Sequence, residues 1–271
     1  MEPSLRLAEI ERVKRKRSDN LDAYDLVLQA QTDAYSRIPE RCAKALLLLE
    51  RALVLDPTYA LAHAYAAECH HSIFLRGGLQ EDHRTASIRH AESAIAYGQD
   101  DASALAFAGF VIGMDKHDRA AALTAFEAAL SVSPSSALTY ILGSVIFAFA
   151  GEAERAIEWA ERGLRLSPFD VYRASAFCSV SFARFQQGRF QDAVAAARKA
   201  IQATPGFSVC HMALAAPLAK LGQLEEAKAV GTRVLELQPT FGYGRQLRNV
   251  GAVPPFAKDF GDALRVAGLP E

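Results

Sequence analysis

Hydrophobic positions fall at helical spacing along most of this chain, in short segments separated by glycine- or proline-containing turns. Leu138, Ile141, Val145 and Ala148 form one stripe, Ser175, Cys178, Phe182 and Phe185 the next, and Val209, Met212, Ala216 and Ala219 a third. Caps and breakers then divide the chain. Asn20 or Asp22 offers an N-cap for a helix over Leu21–Tyr35, which Arg37–Ile38–Pro39 ends. A helix over Ala43–Leu55 follows and stops at Asp56–Pro57. Ala60–His71 opens a second pair; the polar stretch Ser72–Arg84, with Gly77–Gly78, reads as an insertion before a helix over Thr85–Tyr97. Past Pro254–Pro255, a last short helix is expected over Phe256–Ala267. Residues 1–20 read as a polar, charged helix whose apolar positions (Leu5, Leu7, Ile10, Val13) are too sparse for it to fold alone.

Between Ser136 and Phe241 three positions return in step. Gly151, Ala156 and Pro168, then Gly188, Ala193 and Pro205, then Gly222, Ala227 and Pro239 keep intervals of 5 and 12 residues. The sets lie 37 and 34 residues apart, and Pro134 stands 34 before Pro168. Glycine suits a left-handed helix end, alanine lets helix axes approach, and proline fixes the turn into the next unit. This spacing resembles the tetratricopeptide repeat, a helix–turn–helix unit of about 34 residues. The resemblance implies an all-α, right-handed α-solenoid of about six repeats over residues 21–241. Residues 1–20 would be a charged linker helix and residues 242–271 a C-terminal cap.

Composition narrows the function more than the fold. The net charge is −1, so no global field favours nucleic acid or an anionic membrane. No apolar run is long enough to span a bilayer, and the basic run Arg12–Arg17 reads as a solvated helix face. Cys42, Cys69, Cys178 and Cys210 form no CxxC pair and suit free thiols in a reducing, cytoplasmic setting. Motifs for a nucleophile elbow, a phosphate loop or a zinc protease are absent, so the chain is read as a non-enzyme without a cofactor. His63, His70, His71, His83 and His90 crowd the second repeat but match no metal-ligand spacing, and polar packing is expected there.

In such a solenoid the second, fifth, ninth and twelfth places of each first helix face the concave side. Phe110, Ile141, Val145, Cys178, Phe182, Phe185 and Met212 are therefore the candidate partner-binding groove. The occupant stays open between an apolar or amphipathic helix of a partner protein and the chain's own terminal helix or a second copy. A small-molecule or lipid ligand among the same aromatic residues is the alternative from another class.

Asn20–Leu26, Leu55–Ala62 and the ending Ala267–Gly268–Leu269–Pro270 resemble the C-terminal repeat region of bacterial class III adenylate/guanylate cyclases. Similar regions stand behind winged-helix regulators. The resemblance implies a sensory or regulatory part of a signalling protein, with any cyclase activity in a domain outside this chain.

Overall fold

The computed structural model describes residues 22–271; the charged helix read over 1–20 lies outside the described residues. Among these are 14 α-helices and no strand. They run in pairs: α1 (Ala23–Ala34) with α2 (Pro39–Leu55), α3 (Ala60–Arg76) with α4 (Glu81–Tyr97), and α5 (Ala102–Asp115) with α6 (Arg119–Val132). The second three pairs are α7 (Ala137–Phe149) with α8 (Ala153–Leu166), α9 (Arg173–Gln186) with α10 (Phe190–Ala203), and α11 (Ser208–Lys220) with α12 (Leu224–Leu237). A short α13 (Tyr243–Asn249) and α14 (Pro254–Val266) follow. The result is an α-solenoid.

Local chemistry explains the boundaries. Asp22 caps α1 in a reciprocal capping box with Asp25, and the Asp101 side chain accepts from the amides of Ser103 and Ala104. Gly151, Gly188 and Gly222 take φ of 80°, 71° and 73° where the first helices of the last three repeats end. Second helices then pack through small residues. Ala156, Ala160 and Gly163 on α8, and Ala193, Ala197 and Ala200 on α10, are fully or almost fully buried.

Two expectations about the second and fifth repeats need correction. The expected insertion over Ser72–Arg84 does not exist as irregular chain. Instead α3 continues to Arg76 and α4 begins at Glu81, leaving a turn of four residues around Gly77 and Gly78. Polar residues of that stretch are held by distant partners: Arg76 donates to the Arg37 carbonyl and Arg84 to the Asp115 carbonyl. In the fifth repeat, where Asp170 is expected as the cap of a lengthened first helix, α9 starts only at Arg173 and Asp170 accepts from the Tyr172 amide in the turn before it.

The superhelix is tight enough to meet itself. Arg37, after α1, donates to Ser175 of α9 at 2.6 Å. The Gln238 amide donates to the Leu75 carbonyl at 3.0 Å, and Thr240 to that of Arg76 at 3.4 Å. The Val253 amide donates to the Phe149 carbonyl at 3.0 Å, and the His117 ring contacts the Asn249 carbonyl at 3.2 Å. The first and second repeats are thereby tied to the fifth and sixth, and the third and fourth to the cap. The concave side of the array becomes an interior.

Candidate functional site

All seven residues expected to line a groove are buried, and none is more than 9% exposed. Phe182 and Phe185 are covered by the chain's own α14: Phe260 stacks edge-on against them at 5.4 and 4.9 Å, with Phe256 alongside. Ile141 packs against the small Gly163 of α8. Phe110, Val145, Cys178, Phe182 and Met212 line a largely enclosed cavity of about 60 Å³. That is room for about four waters. Of the occupants left open above, the terminal helix is the one in place at the Phe182–Phe185 end.

The cavity has two unlike walls. One is apolar, with Leu142, Phe149, Leu247 and Val250 beside the five residues just named. The other carries Arg37, Glu68, His71, Arg76, Tyr172 and Ser175. Ser175 stands on a stripe named above and His71 in the histidine cluster, but their place in this wall, and Arg37, Glu68, Arg76 and Tyr172 altogether, escaped the sequence reading, although a signal for two of the six existed. Counting nine and twelve places from Ala60, as in the later repeats, lands on Glu68 and His71. Arg37 and Tyr172 sit in turns, where no helical count applies.

Arg37 adopts a left-handed backbone, φ 55°, uncommon for a side chain with a Cβ. Its guanidinium lies 4.1 Å from the Phe207 ring centroid and 5.0 Å from that of Tyr172, while Arg76 approaches Phe207 at 5.0 Å. Burial pushes Arg76 down to about 10, and burial raises the Glu68 carboxyl above its ordinary range. Burial alone would push the His71 imidazole down, but the Asp115 carboxylate 2.7 Å away outweighs this and the net shift is upward. Four polar atoms of this wall are buried without a hydrogen-bond partner: Arg37 Nε, Glu68 Oε2, Arg76 Nη2 and the Tyr172 hydroxyl.

Beyond Tyr172 the array opens into a separate cleft of about 620 Å³. Its floor is a square of aromatic rings: Tyr35–Tyr65, Tyr65–Phe107, Phe107–Tyr172 and Tyr172–Tyr35 pairs at 5.3–5.7 Å, all edge-on. The α8–α9 turn forms its lip, where Phe169 is 82% and Val171 52% exposed.

The histidine cluster is a ladder between α3 and α4. His63 and His90 meet through Nδ1 atoms at 2.9 Å, His70 and His83 at 2.8 Å, and His70 stacks on His90. Among the described residues no group of three or more ligating side chains is placed to hold a metal. No helix among them is long and apolar enough to cross a membrane.

Comparison with known proteins agrees with this architecture. Residues 114–171 and 184–248 match two tetratricopeptide-repeat families. The chain is 27% identical over 116 residues to the small glutamine-rich tetratricopeptide repeat-containing protein 2 of Mycosarcoma maydis, covering 43% of this chain and 32% of that protein. It therefore spans about a third of the length of the curated relative it matches. These segments of the chain are tetratricopeptide repeats. Among solved structures it resembles a human IFIT1 dimer with PPP-AAAA, TM-score 0.63 at 16% identity, over 86% of this chain and 56% of that one. It also resembles PilW, a widely conserved type IV pilus biogenesis factor, TM-score 0.56 at 18% identity, over 84% and 97%. These likenesses speak to the fold.

Proposed function

We propose that the chain is a non-enzymatic scaffold that takes an apolar or amphipathic segment of a partner protein in the open cleft above Tyr35, Tyr65 and Phe107. The observation that carries this reading is the pair Phe169 and Val171, two large apolar side chains held in solvent at the lip of an aromatic-floored cleft. Arg41 and Arg173 at the rim suit a segment with acidic flanks. The tetratricopeptide fold supports a protein or peptide partner. The resemblance to cyclase-associated repeat regions supports a regulatory role in signalling.

Random-peptide display against the full chain tests the proposal. Selected peptides should converge on apolar residues at helical spacing and lose at least tenfold in affinity for the Phe169→Glu variant. Peptides that bind wild type and Phe169→Glu equally would remove the cleft from consideration.

A further inference from the structure

We propose that the enclosed cavity is a binding site for a small carboxylate of about two to four carbons, its head among Arg37, Arg76 and Tyr172 and its short hydrocarbon end toward Phe149, Phe182 and Met212. The site is distinct from the cleft and is separated from it by the Tyr172 ring, which lines both.

Charge is the first argument. Buried cations are ordinarily paired, because an unpaired one loses its hydration without compensation. No carboxylate lies within 4 Å of either guanidinium among the described residues; Arg37 donates to the Ser175 hydroxyl and Arg76 to a backbone carbonyl. His71 and Asp115 balance one another at 2.7 Å. Against the two guanidiniums the wall offers only Glu68, whose carboxyl burial disfavours as an anion, so at least one further negative charge is needed for balance. A monocarboxylate supplies it.

Unmet hydrogen bonding is the second argument. Arg37 Nε, Arg76 Nη2 and the Tyr172 hydroxyl are donors buried without acceptors, and they share one wall. Carboxylate oxygens accept several such bonds, and guanidinium groups meet them in a planar fork. The opposite wall supplies apolar surface for a short hydrocarbon tail, as small-molecule sites ordinarily do. Gln246 and Leu247 of the seven-residue α13, and Val250 just after it, line the cavity on its cap side.

The experiment titrates the full chain with straight-chain alkanoates from acetate to octanoate, by calorimetry and thermal midpoint; binding should fall away beyond butanoate, as the cavity volume requires. The alkylamine and alkanol of the best-bound length serve as controls. Saturable one-to-one binding peaking at one or two chain lengths is expected, with the midpoint rising with ligand concentration. The alkanol should bind at least tenfold more weakly and the amine not at all. No saturable alkanoate binding, or equal binding of alkanol or amine, would overturn the proposal without any variant having to fold. Arg76→Gln and Arg37→Gln, checked by circular dichroism, should each weaken binding at least tenfold. Undiminished affinity in a folded Arg76→Gln protein would overturn the placement of the head. Phe169→Glu should leave alkanoate affinity unchanged; a loss there would move the ligand to the cleft and overturn the cavity assignment.

Discussion

The two halves of this solenoid are built from the same repeat but fill their interiors differently. In the last three repeats the concave side is hydrocarbon: Phe149, Phe182 and Phe185 close on Phe256 and Phe260 of the cap. In the first three it is ionic and hydrogen-bonded, with Glu68, His71 and Asp115 all at most 3% exposed. Apolar contacts are nondirectional and gain with every buried methylene. Buried charges must each be answered by geometry, and a wall that leaves four polar atoms unanswered is stabilised elsewhere. The apolar half therefore carries stability, and the polar half carries the capacity to bind something.

The largest effect should come from breaking the apolar half. Phe260→Ala removes a ring that is fully buried between Phe182 and Phe185, and a loss of about 3–5 kcal/mol in urea unfolding is expected. A loss below 1 kcal/mol would mean that α14 does not sit on those rings. In the polar half, Asp115→Asn withdraws the charge shared by His71 and Ser87, and a loss of about 2–3 kcal/mol is expected. Ala193→Leu inserts a branched side chain into a closed seam between α10 and its neighbours, with an expected cost of about 1–3 kcal/mol. An unaltered melting temperature would shift the repeat register.

Acid titration sharpens the contrast within the second repeat. Burial pushes His70 down to about 4 and His90 down to about 3. The unfolded chain, titrating near 6.5, then binds more protons than the folded one between pH 6.5 and 4, so stability is full above that window and falls as pH drops through it. About 1–2 kcal/mol is expected from the pair after discounting for partial solvent exposure. Adjacent His71 has the opposite sign: its raised value gives stability that is full below pH 6.5 and is lost as pH rises through the folded pKa. His90→Gln should flatten the acid limb of a pH–melting curve, and His71→Gln should not.

How much of this could be read in advance divides along the same line. Gly151, Gly188 and Gly222 announce their turns because the left-handed backbone there is a local requirement, and the alanine–proline spacing fixes the helices between them. The identity of the terminal helix as the cover for Phe182 and Phe185 was one of the occupants left open, since apolar stripes do not state their partner. The polar half resisted reading because its logic is non-local. Nothing within α3 or α4 shows that His71 and Ser87 share one carboxylate from α5, or that Arg76 and Arg84 find the carbonyls of Arg37 and Asp115, so the polar stretch Ser72–Arg84 reads as an insertion. Nor does any spacing connect Gln238 to the Leu75 carbonyl.

That last contact changes how the protein should melt and form. An open repeat array frays from its ends, each unit holding only its neighbours. Here the sixth repeat grips the second across 163 residues of sequence, and Arg37 reaches Ser175 across 138. The array is a clasped bracelet, and its two ends cannot peel away singly. Unfolding should be all-or-none across spectroscopic probes, and folding slow for a helical protein, because closing so long a loop precedes its reward. During synthesis the first repeats must wait, their charged interior still wet, for the chain that will cover them.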